Sequence, residues 1–119
     1  MIRSSKEMKT ETREKMRGGA GSVVIRHYFD KDEFSANVRL CAVLNLVPGS
    51  GIGMHQHLNE DEVYVVINGS GIIDDGKVRK RVTAGDAVLT GKGESHAIYN
   101  DGTVPLEVIA IIHCYEPKS

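Results

Sequence analysis

From residue 22 onward, short apolar runs alternate with clusters of Gly, Asp and Asn. The runs are rich in Val, Ile, Leu and Tyr, which generally favour β-strands. The residue pairs between the runs, such as Pro48-Gly49 and Asn68-Gly69, tolerate the backbone angles of tight turns. The pattern predicts nine strand segments, at residues 22–29, 37–47, 51–58, 61–68, 71–75, 78–83, 86–90, 94–100 and 105–115.

Strand signals about 8–12 residues apart are typical of all-β sandwiches and barrels. No stretch after residue 20 keeps an apolar period of 3.6 residues, so no helix competes with the strands. A sheet protein of this size protects its edges by closing on itself or by pairing with a second copy. We therefore expect one domain over residues 22–115, built as a small barrel of antiparallel strands.

Residues 1–21 differ from this pattern and form a charged arm. Residues 1–17 contain six Lys or Arg and three Glu, and a glycine-rich stretch follows them. We expect the arm to be flexible or partly helical, as a solvated tail or as a contact with a partner. The apolar run 22–29 behind the glycines is a candidate dimer contact, or an internal edge strand.

Composition narrows the classes of partner. The net charge of −1 argues against nucleic acid or an anionic membrane as the main partner. No apolar run reaches the roughly 20 residues that a membrane span needs, and the N-terminus lacks the apolar core of a secretion signal, so a cytoplasmic location is expected.

Cys41 and Cys114 both lie in apolar runs, where they are expected to be small buried hydrophobes.

Three of the five histidines lie in two glycine-framed segments. His55 and His57 are one residue apart, which places both side chains on one face of an extended strand. Glu62 begins the next strand, and a hairpin would return its carboxylate to the histidine pair. Barrel closure can bring His96 to the same point from a later strand.

Neutral imidazoles with one carboxylate suit Mn, Fe, Co, Ni, Cu or Zn better than Ca or Mg, which prefer oxygen ligands. Four protein ligands leave one or two positions open on an octahedral ion, as a catalytic or ligand-binding metal requires. We expect one divalent transition metal, with Mn, Fe, Ni or Zn as the candidates, held by His55, His57, Glu62 and His96. Taken singly, each of these residues also fits an ordinary structural role.

The spacing closely resembles that of the cupin family. The first cupin motif is matched by Gly49, His55, His57, Glu62 and Gly69, and the second by Gly85, Gly93, His96 and Asn100. Gly91 stands where the family usually has proline. The resemblance spans about residues 37–115. It implies a double-stranded β-helix (jelly-roll) fold, the same four metal ligands, and a homodimer formed through N-terminal strands.

Alternation along the strands suggests further site residues. Tyr64 is expected on the same face as Glu62, as a packing residue or as a group that binds substrate or acts as an acid. Glu94 lies two residues before His96 and is a second acid/base candidate. Arg39, in an otherwise apolar run, points either to solvent or inward to bind an anionic substrate.

Cupins perform many reactions, so the fold does not define the activity. Oxalate decarboxylases of the family have a substrate-binding arginine three residues before the first metal histidine, where this chain has Ile52. We expect a metal-dependent enzyme acting on a small organic acid, keto acid or sugar acid, of the decarboxylase, dioxygenase or isomerase type. The alternatives are a non-catalytic small-molecule binder, with the metal as docking point, and a purely structural metal.

Overall fold

A computed structural model describes all 119 residues and contains ten β-strands and no α-helix. The strands are β1 Lys9–Glu14, β2 Ser22–His27, β3 Val38–Leu46, β4 Gly51–Gln56, β5 Glu60–Asn68, β6 Ser70–Asp74, β7 Arg79–Thr83, β8 Ala87–Thr90, β9 Ser95–Tyr99 and β10 Leu106–Cys114. Single turns of 3-10 helix lie at Ser5–Glu7, Met16–Gly18 and Lys31–Glu33.

The strands form two antiparallel sheets. One has six strands in the order β1-β2-β3-β10-β5-β8, and the other has four in the order β4-β9-β6-β7. Each of the nine predicted runs coincides with one strand, although β5 and β6 begin one residue before their predicted runs. The predicted all-β fold is confirmed. None of the helices is long and apolar enough to cross a membrane.

The hydrophobic core lies between the two sheets. Along β5, the buried side chains of Glu62, Tyr64 and Val66 alternate with more exposed neighbours, as expected for a strand with one face in the core. Both sheets contribute to the buried cluster, which includes Leu44, Tyr64, Val66, Ile98 and Val108. Burial of these side chains supplies most of the energy that holds the sheets together.

The arm departs from the expectation of a flexible or partly helical segment. It contains β1, which pairs with β2 from Lys9 opposite His27 to Glu14 opposite Ser22. All six residues of β1 are exposed, so the strand carries no apolar alternation that the sequence could reveal. Antiparallel pairing with the next strand along the chain, and not an apolar pattern of its own, gives the arm its extended form.

This pairing also places β2 inside the sheet. β2 is hydrogen-bonded to β1 on one side and to β3 on the other, and Val23 and Ile25 are buried. The two edge strands of this sheet are therefore β1 and β8. The homodimer through N-terminal strands stays a prediction, and β1 is the strand whose edge is free for it.

Candidate metal centre

The four predicted ligands come from three places in the fold. His55 is near the end of β4, His57 directly follows that strand, Glu62 lies on β5 and His96 on β9. β4 and β9 belong to the four-stranded sheet and β5 to the six-stranded sheet. The site therefore lies between the sheets and joins them.

A bulge in β4 turns His55 toward the site. Ile52 is opposite Ile98 and His55 is opposite His96, so three steps along β4 match two steps along β9. A bulge of this kind changes which face a side chain occupies. Ile52 and His55 both point inward as a result, although strict alternation would place them on opposite faces.

The ligand atoms converge on one point. Nε2 of His96 lies 3.0 Å from Nε2 of His57 and 3.1 Å from Nε2 of His55. Oε1 of Glu62 lies 2.9 Å from Nε2 of both His57 and His96, and 4.0 Å from Nε2 of His55. One donor atom from each residue lies within 4.8 Å of all the others, so the cluster could hold a metal ion.

The other nitrogen of each ring has a partner that fixes the ring. Nδ1 of His55 donates to the carbonyl oxygen of Gly53 at 2.7 Å, and Nδ1 of His57 donates to Oε2 of Glu60 at 2.6 Å. A carbonyl or carboxylate oxygen only accepts, so these two Nδ1 atoms bear the protons. Their Nε2 atoms then present lone pairs to the centre, which is the arrangement of metal-binding histidines.

His96 is held in a similar way. Its Nδ1 lies 2.9 Å from Oγ1 of Thr90, and the ring of Tyr64 stacks on the imidazole at a centroid distance of 4.8 Å and an angle of 11°. Both contacts restrict rotation of the ring. His96 itself is almost fully buried, so its orientation is set by packing.

The surroundings of the Glu62 carboxylate indicate what kind of ion the cluster can hold. Although Oε1 is 2.9 Å from two ring nitrogens, it is buried and accepts no hydrogen bond of good geometry. An ionised carboxylate without a donor in such a place costs several kcal/mol. A cation among the four ligand atoms satisfies Glu62 and the imidazole lone pairs together, so the residues fit a transition metal.

The protonation of the cluster suits metal binding. Burial opposes ionisation of Glu62, but the neighbouring imidazoles of His57 and His96 outweigh it and lower the pKa to about 2. Burial lowers the pKa of His55. For His57, burial is outweighed by Glu62 and Glu60, and the pKa is raised. Glu62 therefore stays anionic across the physiological range, whereas His57 takes a proton more readily than His55 does.

A cavity of about 160 Å³ opens beside the ligands. His55, His57, Glu62 and Tyr64 form its inner wall. Its remaining walls come from the arm and from β2, β3, β4 and β10, through Glu11, Arg13, Met16, Arg17, Ile25, His27, Arg39, Leu40, Leu44, Ile52 and Ile112. A larger cleft of about 530 Å³ lies between β7 and β8 and contains none of the four ligands.

The other predicted site residues take different positions. Tyr64 lines the cavity, and burial, followed by the negative charge of Glu62, raises the pKa of its phenol well above the ordinary value. Arg39 also lines the cavity, but its guanidinium forms two hydrogen bonds, of 3.0 and 2.8 Å, to Glu60. Glu94 is exposed outside the cavity and accepts a hydrogen bond from the backbone of Gly91.

Several residues of the site carried no signal in the sequence. Glu60 belongs to neither cupin motif, yet its carboxylate bridges His57 and Arg39. His27 and Arg17 matched no motif, but both line the cavity. His27 lies on β2, which pairs with β3, and the backbone of Arg17 contacts β4, so both positions depend on contacts that a local pattern does not show.

The surroundings of Gly91 explain why this position is not the proline that is usual in the family. A Cβ atom at this position would lie 1.9 Å from Oδ1 of Asp61, and the backbone N–H of Gly91 donates to Glu94 at 3.2 Å. Proline has neither the space nor the N–H. The turn before β9 is therefore built differently here, without moving a ligand.

A family model described as the cupin domain matches residues 42–112, which include all four ligands. This chain belongs to the cupin family. The match agrees with the two-sheet fold and with the predicted ligand set.

Similar proteins include one from Thermotoga maritima named oxalate-binding protein. It is 38% identical to this cupin over 112 residues, which cover 94% of this chain and 93% of the relative. The crystal structure of a predicted oxalate decarboxylase from Thermotoga maritima has a TM-score of 0.91 and 38% identity, covering 96% of this chain and 99% of that one. The polyketide cyclase RemF from Streptomyces resistomycificus has a TM-score of 0.76 at 16% identity, covering 100% and 82%, and supports the fold alone.

Proposed function

We propose that this cupin uses a divalent transition metal to bind and convert a small organic acid, with oxalate as the first candidate. The observation that carries the proposal is the convergence of three imidazole nitrogens and a carboxylate oxygen without a hydrogen-bond donor, all beside a small cavity. Four protein ligands leave open positions on an octahedral ion, where ligand oxygens can bind.

The cavity limits the size of the ligand. Its volume of about 160 Å³ is below the ~300–1,000 Å³ that is typical of pockets for drug-sized ligands. The cavity therefore favours a ligand of a few heavy atoms. Oxalate, the ligand in the name of the Thermotoga maritima relative, is within this limit.

When bound, the metal would act as a Lewis acid that polarises the carboxylate of the ligand. The protein itself fixes the imidazole rings of the three histidines, excludes water from the site and supplies groups for proton transfer. Decarboxylation of oxalate breaks the carbon–carbon bond, releases carbon dioxide and adds one proton to give formate. A proton donor must therefore lie beside the metal.

Two side chains in the cavity are candidates for that donor. Tyr64 carries a neutral, buried hydroxyl next to Glu62. His27 lines the cavity, and its Nε2 lies 3.8 Å from the carboxylate of Glu11. Histidine is the more common proton-transfer group near neutral pH. Glu94, the other acid/base candidate from the sequence, would have to act from outside this cavity.

The test begins with the purified chain reconstituted separately with Mn, Fe, Ni or Zn. Oxalate binding is measured by calorimetry, and turnover is followed by the release of formate and carbon dioxide. We expect binding only with metal and none in His57→Ala. Absence of oxalate binding with every metal would reject the proposal.

A second candidate is a binding protein without catalysis. The observation that favours it is the pairing of the cavity's carboxylate Glu11 with Arg13 at 3.0 Å, together with the high pKa of Tyr64, which leaves few groups free to exchange protons. Oxalate would then raise the melting temperature of the metal-loaded protein without yielding any product.

A further inference from the structure

The arm forms one wall of the metal cavity. Its residues 9–20, called the arm segment below, contribute Glu11, Arg13, Met16 and Arg17 to that wall. The arm segment consists of β1, an edge strand of the six-stranded sheet, and the turn that follows it, whereas the other walls are built by later strands. The arm segment thus brings arginine side chains to the wall of the cavity.

The cations of the cavity differ in their pairing. Arg13 forms an ion pair with Glu11 at 3.0 Å, and Arg39 forms one with Glu60 at 2.8 Å. Arg17 forms neither an ion pair nor a side-chain hydrogen bond with any residue of the chain. Arg17 is thus the cavity's arginine whose charge is available to an incoming anion.

The backbone at Arg17 is held in an uncommon conformation. Arg17 has φ 53° and ψ 31°, and Lys15 has φ 51°, so two residues with side chains adopt the left-handed region close together. Such a conformation generally costs about 1 kcal/mol or more and persists only where the surroundings enforce it.

The surroundings that enforce it are the first residues of β4. The N–H of Gly51 donates to the carbonyl of Ala20 at 2.9 Å. A Cβ atom at Gly53 would lie only 2.1 Å from the carbonyl oxygen of Arg17, so the two backbones are in close contact. Gly53 in turn accepts the hydrogen bond from His55, which ties the position of Arg17 to a candidate metal ligand.

We propose that Arg17 is the residue that selects anionic ligands at this centre, by binding the carboxylate that lies away from the metal. This inference rests on the proposed function. The ligand class is a small molecule with two acidic groups, one for the metal and one for the guanidinium. Arginine suits this role because its planar N–H groups match a carboxylate in a bidentate pair.

The test compares Arg17→Gln with Arg26→Gln, a matched control on the exposed outer side of β2. Each protein is loaded with Mn and titrated with oxalate and, separately, with acetate, which has one carboxylate. We expect Arg17→Gln to weaken oxalate binding roughly 10- to 100-fold, the value of a charged hydrogen bond, and acetate binding by less than about 3-fold. Arg26→Gln should change neither.

Two further variants keep the outcome decisive. Arg17→Lys retains the charge without the planar fork, so its oxalate affinity should lie between those of the wild type and Arg17→Gln. Arg17→Gly suits the left-handed backbone, so it should fold at least as stably as the wild type and still lose oxalate affinity. Metal content, measured by elemental analysis, should be unchanged throughout.

Unchanged oxalate affinity in Arg17→Gln and Arg17→Gly would overturn the role of Arg17 while leaving the proposed function intact. Equal losses for oxalate and acetate would also overturn it, because the arginine would then not distinguish the second carboxylate. Failure of the metal-loaded wild type to bind oxalate would instead reject the proposed function, and the role of Arg17 with it.

Discussion

The carboxylate of Glu60 accepts a 2.6 Å hydrogen bond from Nδ1 of His57, on the side of the ring opposite Glu62. Arg39 holds the same carboxylate through two hydrogen bonds. Burial opposes the ionised form of Glu60, but Arg39 and His57 outweigh it and lower its pKa. Glu60 is therefore an anion that fixes the orientation of a candidate metal-binding histidine.

Replacing Glu60 by glutamine should weaken metal binding about 10- to 100-fold, because the partner behind a ligand histidine sets both its orientation and its basicity. The measurement is a competition titration with a metal-binding dye. Glu116→Gln, at an exposed position near the C-terminus, is the control and should bind metal normally. Wild-type affinity in Glu60→Gln would contradict the role assigned to Glu60.

Removal of a metal-binding side chain should weaken metal binding more than Glu60→Gln does. His57→Ala is expected to abolish stoichiometric metal binding and to leave the β-sheet content nearly unchanged, since the core lies mainly in apolar side chains. Elemental analysis and circular dichroism test the two parts. His113→Ala, an exposed histidine on β10, serves as the control. One metal ion per chain in His57→Ala would show that His57 is not a metal ligand.

Chelation should destabilise the protein, because it leaves Glu62 buried without a positive partner. A metal at 100 times its Kd adds about 2.7 kcal/mol to the free energy of unfolding. For a domain of this size, the change corresponds to a melting temperature lower by on the order of 10 °C after chelation. Readdition of metal should restore it. Equal melting temperatures with and without metal would argue against occupancy of the site.

Acid should release the metal through the histidines. Protons compete with the metal for the Nε2 lone pairs, so affinity is full at higher pH and falls as the pH drops below about 6.5. Among the ligands, the raised pKa of His57 favours its protonation, burial lowers the pKa of His55, and Glu62, with a pKa of about 2, remains ionised. Metal content after dialysis between pH 8 and pH 4 measures the effect. Full retention at pH 4 would be inconsistent with imidazole ligands.

Gly53 should tolerate no side chain. A Cβ atom there would meet the carbonyl oxygen of Arg17 at 2.1 Å, so Gly53→Ala must displace the arm segment or β4. We expect a loss of about 1–3 kcal/mol in the free energy of unfolding, and faster hydrogen exchange in the arm segment. Gly102→Ala, where the nearest atom would be 3.4 Å away, is the control. An unchanged exchange pattern in Gly53→Ala would contradict the tight contact.

Nine of the ten strands were predictable because each of them is encoded locally. Residues 61–68, for example, alternate between buried and more exposed side chains, and glycine or asparagine turns bound the run. The candidate ligand set follows from the same periodicity. His55 and His57 share a face of an extended strand, and the spacing of the family's motifs links them to Glu62 and His96.

The arm was predicted wrongly for the opposite reason. β1 is polar and exposed along its whole length, so no hydrophobic period marks it as a strand. Its extended form comes from the six register pairs that it makes with β2. Arg39 is a related case, because the sequence did not decide whether its side chain points to solvent or inward. Its ion pair with Glu60 joins β3 to β5, two strands that are far apart in the sequence.

The sequence by itself determined the all-β class, the positions of nine of the ten strands, the family and the four candidate metal ligands, because apolar runs, turn residues and motif spacing are local properties of the chain. Only the tertiary structure decided what surrounds those ligands. Glu60 lies behind His57, the bulge directs His55 inward, and the arm segment brings Arg17 to the cavity wall. The bulge and the position of Arg17 depend on contacts between segments far apart in the chain, whose register no local pattern specifies. Glu60 follows His57 by only three residues, but its carboxylate is also held by Arg39, which lies on a different strand.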